Sequence, residues 1–163
     1  MIRSMVCLAL VSMIAAGGVE AQEQAAAGAV AWTTSCASSG RAVEPACEAE
    51  QRVVLSSTGQ LLAGLTVRFA SSSAEPELTV QLPHGLYLPS GVRLSAGEDQ
   101  VLDMPLVTCD GNGCYALTGL DGSLLDRLRD AQELTVTFED MSRAAISVPV
   151  AMVGFAEAIE RAR

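Results

Sequence analysis

With 163 residues the chain is the size of one domain, and half of its residues are hydrophobic, enough for a proper core. Its formal charge is −9, and its ten basic residues are all arginine and form no cluster. That balance argues against nucleic acid or an anionic membrane surface as a partner, and serves solubility instead.

Residues 1–21 read as a secretory signal peptide. Arg3 precedes an apolar run, Met5 to Ala16, and Gly17-Gly18-Val19-Glu20-Ala21 offers a small-residue cleavage site, with the cut expected after Ala21. The run is short for a transmembrane helix, although a retained anchor is the alternative. Cys7 lies inside the run, after Val6, where a lipid-attachment site would carry a small residue. No later segment is apolar enough to span a membrane. The expectation is therefore an exported protein, periplasmic or secreted and outer-membrane-associated, with no integral membrane segment after cleavage.

Residues 22–28 (QEQAAAG) form a low-complexity lead-in, and residues 29–163 a single domain. The first strand is expected over Ala29 to Ser38, with Trp32, Thr34 and Cys36 on one face. Cys47 opens a second strand reaching about Ser56, and Ser57-Thr58-Gly59-Gln60 is a turn. The third strand, Leu61 to Ala70, turns Leu65, Val67 and Phe69 inward and Thr66 and Arg68 outward. Glu77 to Leu94 (ELTVQLPHGLYLPSGVRL) carries the clearest period of two. Leu78, Val80 and Leu82 are followed by Leu86 and Leu88, then Val92 and Leu94, with Pro-Gly breaks between them. This reads as an antiparallel sheet turning back on itself.

Val101 to Cys109 is the next strand, irregular at Pro105. Cys109-Asp110-Gly111-Asn112-Gly113-Cys114 is a tight reversal into Tyr115 to Leu120. A short helix follows, with Ser123 as N-cap and Leu124, Leu125 and Leu128 on one face. Leu134, Val136 and Phe138 define another strand. Ile146, Val148, Val150 and Met152 define the last, where the outward Pro149 argues for an edge position or an unpaired N–H. Gly154-Phe155 leads into a terminal helix with Phe155 and Ile159 paired, as are Glu157 and Arg161. Many short strands, two small helices and no βαβ alternation predict an all-β fold, an immunoglobulin-like antiparallel β-sandwich.

Beyond the leader the chain keeps Cys36, Cys47, Cys109 and Cys114. Four cysteines allow three pairings. Proximity favours Cys36–Cys47 and Cys109–Cys114, and an exported compartment favours disulfides over a four-cysteine zinc site, whose usual spacings are absent. Neither pair has the C-x-x-C spacing of a redox site. Trp32, four residues before Cys36 on the same face, is expected to pack against the disulfide.

The search for chemistry turns up little. His84 is the single histidine and sits between Pro83 and Gly85, where a turn residue is the ordinary reading and a general base or metal ligand the sharper one. No nucleophile elbow or phosphate cradle is present. The acidic Asp110 and Asn112 loop lacks the length of a calcium loop. Arg68 and Arg93 both project from mid-strand and would mark a binding face if their strands were neighbours. With His84 and Tyr87 they form the candidate binding surface. No catalytic residue, cofactor or metal is assigned.

The ordered motifs resemble the invasion-associated locus B (IalB) family of exported bacterial proteins. Trp32 with Cys36 and Cys47 resembles its opening, and Leu82 to Val92 its central Leu-Pro-x-Gly segment with a second Gly before an aliphatic. Cys109 to Cys114 is similar to its cysteine loop, Leu120 to Leu128 to its Leu-rich helix, and Gly154-Phe155 to its close. Two departures stand out, His84 where an aliphatic is expected and the absence of lysine. The resemblance implies an envelope protein with an immunoglobulin-like sandwich and no catalytic residues to carry over. The functional expectation is a non-enzymatic binding module whose partner is an envelope or host protein. The alternative is a small periplasmic enzyme or metal- or ligand-binding protein centred on His84.

Overall fold

The structure, a computed structural model, describes residues 31–163 apart from 39, 42, 44 and 71–74. The leader and lead-in expected over 1–28 lie outside the described residues. Among the described residues, ten strands form two wholly antiparallel sheets. The wide sheet holds β1 (Thr33–Ala37), β2 (Ala46–Val54), β3 (Leu61–Phe69) and β4 (Glu77–Leu82), then β8 (Gly113–Gly119) and β7 (Leu106–Asp110), in the order β1-β2-β3-β4-β8-β7. The narrow sheet is ordered β10-β9-β5-β6, from β5 (Val92–Ala96), β6 (Asp99–Met104), β9 (Glu133–Glu139) and β10 (Ala145–Ala151). Helices α1 (Gly122–Asp130) and α2 (Phe155–Ala162) complete the all-β, immunoglobulin-like sandwich.

One core cluster takes side chains from both sheets and both helices. Alternation supplies it as the period of two requires: Leu65, Val67 and Phe69 from β3, Leu78, Val80 and Leu82 from β4, and Leu134, Val136 and Phe138 from β9 are all buried. The narrow sheet leaves part of the wide one uncovered, and α2 fills that place, packing on β1, β2 and β3. Thr34, opposite the buried Ala49, donates its hydroxyl to the Ala158 carbonyl of α2 at 3.1 Å. Phe155 and Ile159 are buried together as their spacing predicts. α2 makes an ion pair through Glu160 with Arg129 of α1.

Trp32 departs from expectation. Its ring meets Phe155 edge to face, centroids 4.7 Å apart, and its Nε1–H donates to the Ala151 carbonyl at 3.2 Å. Four residues along a strand span about 13 Å, too far for a tight ring contact with the Cys36 disulfide. The α1 cap also moves. Asp121, not Ser123, is the N-cap, its carboxylate accepting from Leu124 N at 2.8 Å and from the Ser123 hydroxyl at 2.7 Å.

The stretch 77–94 does not turn back within one sheet. β4 belongs to the wide sheet and β5 to the narrow one, and residues 83–91 form a strap between them. Pro83 and Pro89 cannot donate to a ladder. Gly85 and Gly91 turn with φ of 86° and 64°. Leu86 makes only an isolated bridge to Asp140, and Leu88–Ser90 is a single 3-10 turn. Leu88 is consequently 47% exposed rather than core-facing. The expected strand Val101 to Cys109 likewise splits at Pro105 into β6 and β7, one in each sheet. Ile146 is 37% exposed at the start of the edge strand β10, while Val148, Val150 and Met152 are buried.

The two crossings touch. A Cβ at Gly91 would lie 2.5 Å from the Met104 carbonyl oxygen, immediately before Pro105. A Cβ at Gly113, where φ is 150°, would run into the Leu82 carbonyl oxygen. Gly85 has open space around it.

Both disulfides are confirmed in the favoured pairing, Cys36–Cys47 and Cys109–Cys114, with each pair directly opposed in register. Each joins an edge strand of the wide sheet, β1 or β7, to its inner neighbour.

Two sets of substitutions test this frame by urea unfolding. Gly91→Ala and Gly113→Ala are each expected to cost at least about 2 kcal/mol, because backbone must shift. Gly85→Ala should cost only about 1 kcal/mol for the left-handed conformation. Replacing both cysteines of a pair by serine should cost about 3 kcal/mol for Cys36–Cys47 and about 2 kcal/mol for Cys109–Cys114, with amide exchange rising first in β1 or β7 respectively.

Candidate functional site

The strap 83–91 is held from both sides. On the wide-sheet side lies the β7–β8 hairpin, reversed by Gly111 and Asn112 between Asp110 and Gly113. His84 Nε2 lies 2.7 Å from the Asp110 carbonyl. A carbonyl only accepts, so Nε2 carries the proton in this contact. The Asp110 carboxylate accepts from Asn112 N at 2.7 Å and from the Tyr115 hydroxyl at 3.1 Å. Gln81 Nε2 donates to the Asn112 carbonyl at 3.0 Å and reaches the Tyr115 hydroxyl at 3.3 Å. The amide of Asn112, with the Tyr115 hydroxyl, holds the Asp110 carboxyl below its usual range, while desolvation and the neighbouring Asp110 push the Tyr115 phenol up.

On the narrow-sheet side lies the β9–β10 hairpin. Met141 N donates to the Gly85 carbonyl at 3.1 Å, and Tyr87 N donates to the Glu139 carbonyl at 2.9 Å. Asp140 organises the tip. Its Oδ1 accepts from the Ser142 hydroxyl at 2.6 Å, from Ser142 N at 2.8 Å and from Ala144 N at 3.0 Å. The Ser142 hydroxyl and the Ala144 amide lower its carboxyl pKa. Arg143 takes φ of 67°, which places its guanidinium 4.7 Å from the centre of the Tyr87 ring and its Nε 3.7 Å from Glu139 Oε2. Met141, at the apex, is 72% exposed.

Of the four candidate residues, His84 and Tyr87 therefore share this end of the sandwich. Arg68 and Arg93 do not join them or each other. Arg68 lies on β3 of the wide sheet, paired with Glu48 at 2.9 Å, and Arg93 on β5 of the narrow sheet, paired with Asp103 at 3.1 Å. The expected condition that their strands be neighbours is not met. Arg143, Met141 and Leu88 were not singled out from the sequence. Their signal was an apolar residue inside the polar turn Asp140-Met141-Ser142-Arg143, and a leucine pinned between Tyr87 and Pro89.

Asp110, Asp121 and Asp140 all have carboxyls lowered by hydrogen bonds made in the folded state. A depressed folded pKa contributes stability above the unfolded value, about 3.9, that is lost as pH falls through the folded one. Thermal melts should accordingly be flat from about pH 5 upward in this respect and decline below about pH 4. Asp140→Asn should have a lower melting temperature at neutral pH and a shallower acid limb.

The Bartonella henselae invasion associated protein B, known from a crystal structure, superposes with a TM-score of 0.70 at 18% identity, covering 80% of this chain and 89% of that one. At that identity the likeness speaks for the fold. No curated protein matches the chain. The profile of the family described as invasion associated locus B (IalB) protein matches residues 32–163, from the buried tryptophan to the final residue, and the chain belongs to that family.

Proposed function

We propose that this is an exported, non-enzymatic binding protein that engages an envelope or host protein through the strap end of the sandwich. The observation that carries the reading is a set of side chains of the kind enriched in interfaces, half-buried at Tyr87 and exposed at Leu88, Met141 and Arg143, held in place before any partner arrives. Tyr87, Leu88, Met141 and Arg143 are offered from two turns whose backbones are hydrogen-bonded to each other, the second also to its own Asp140 carboxylate. Pre-ordered loops lose little entropy on docking. Export is supported by the leader at residues 1–21 and by the two disulfides, which suit an oxidising compartment. Host interaction is the context suggested by the name of the Bartonella relative.

His84 fits the binding reading better than the enzymatic one. Its ring contacts the Asp110 main-chain oxygen, and the Asp110 carboxylate that would orient a general base is turned to Asn112 and Tyr115. Its role here is to tie the strap to the β7–β8 hairpin.

A photo-crosslinker placed at Leu88 in intact cells should capture a discrete protein adduct, and one placed at Thr66 on the outer wide-sheet face should not. Tyr87→Ala or Arg143→Ala should lower the adduct about tenfold. His84→Ala should leave the adduct in place and lower stability by about 1 kcal/mol. Adducts arising only from sheet-face positions would refute the assignment of the strap end.

A further inference from the structure

We propose that Met141 is a selective oxidation site, at which a hydroperoxide converts the apolar apex of the strap end into a polar one. Three observations converge on it. Met141 is 72% exposed, whereas Met104 and Met152 are 2% and 6% exposed and packed in the core. The cysteines among the described residues are all disulfide-bonded, and Trp32 is buried, so neither a thiol nor an indole competes for the oxidant. The turn beneath Met141 is fixed through main-chain and Asp140 contacts, among them Met141 N to the Gly85 carbonyl, and the exposed Met141 side chain is not part of the core cluster. Oxidation at this sulfur is thereby uncoupled from folding.

The step balances simply. A sulfur lone pair attacks the terminal peroxide oxygen, the O–O bond breaks, and after proton transfer the displaced oxygen leaves as water from hydrogen peroxide or as an alcohol from an organic hydroperoxide. The thioether loses two electrons and gains one oxygen, and the peroxide is reduced. The sulfoxide is polar and accepts hydrogen bonds, and methionine sulfoxide reductases return it to the thioether. A thioether apex at the same end of the sandwich as Leu88 and Tyr87 suits an apolar partner pocket, and a sulfoxide does not. This consequence rests on the docking reading above, whereas the selectivity of the oxidation does not.

The test treats the mature, disulfide-intact chain with hydrogen peroxide and follows each methionine by peptide mass mapping. Sulfoxide at Met141 should accumulate at least about tenfold faster than at Met104 or Met152. The melting temperature should stay unchanged, and retention on a phenyl matrix should fall to that of Met141→Gln. Met141→Leu should keep its retention through the same treatment. Comparable rates at the three methionines, a melting temperature that drops in step with Met141 oxidation, or unchanged retention would each overturn the proposal. In cells, peroxide should abolish the Leu88 adduct of the native chain and spare that of Met141→Leu. An adduct missing before any peroxide is added would count against the docking reading alone, and the mapping and retention would still decide the oxidation.

Discussion

At Gly91 two stretches of backbone lie closer than any side chain would permit. The strap carries the chain from the wide sheet to the narrow one, and the Met104–Pro105 peptide carries it back. They meet where a Cβ would overlap the Met104 carbonyl oxygen. A second such contact, Gly113 on the Leu82 carbonyl, sets β8 against β4 at the same corner. These contacts decide which strands can belong to which sheet. Moving either crossing outward by the width of a methyl group would pull β5 from β9 or β8 from β4. The hairpins that reverse at this corner, 110–113 and 139–145, then fall beside the strap because the register leaves them nowhere else. The candidate binding surface is a by-product of the close backbone packing at Gly91 and Gly113.

The free edges of the sheets are managed by different means. β1 and β7 are five residues long and mostly exposed, so burial alone holds them weakly, and each carries a disulfide to its inner neighbour. The narrow sheet has no such staple among the described residues. Its β10 edge contains Pro149, which offers no N–H to a stray strand, and its β6 edge carries Asp99 and Asp103 with a register shift in its pairing to β5. The division has a physical logic. The core covers β10 and β6 on one face through Val148, Val150, Val101 and Met104, so an apolar anchor is available there and repulsion suffices. β1, though α2 packs on it, and β7 bury no side chain fully, and they take a covalent anchor.

Alternation told which side chains face the core, and it was right along β3, β4 and β9. It could not tell which sheet a strand joins, because a period of two reads the same in either. That is why Glu77 to Leu94 looked like one sheet folded on itself, and why Val101 to Cys109 looked like one strand when Pro105 divides it. Leu88 and Ile146 kept the rhythm but lie where strands end, beyond the reach of the opposing sheet. Trp32 was placed by analogy with sandwiches whose disulfide spans the core. Here both disulfides lie within one sheet, and the indole found Phe155 of α2, a partner more than a hundred residues away that no local pattern announces. His84 and Tyr87 were legible because Pro and Gly mark their turn. Arg143 and Met141 were not, since their significance comes from a hairpin that meets the strap only after folding.

An 18% identity with the Bartonella fold is understandable on these terms. A core built on alternation accepts any aliphatic of suitable size at most positions, and the strict requirements reduce to a few glycines and the paired cysteines. Side chains at the strap end bear the opposite relation to the fold. Met141 and Leu88 contribute almost nothing to the core, so replacing them costs the sandwich little, while the turns that carry them are fixed by Asp140, Gly85 and Gly91. The outer sheet faces are less suited to recognition. Arg68 and Arg93 would have to leave Glu48 and Asp103 to meet a partner, exchanging one ion pair for another with little net gain. If the strap end docks a partner as proposed, a rigid corner with replaceable tips can change that partner without changing its scaffold, with specificity in the tips and stability in the glycines below them.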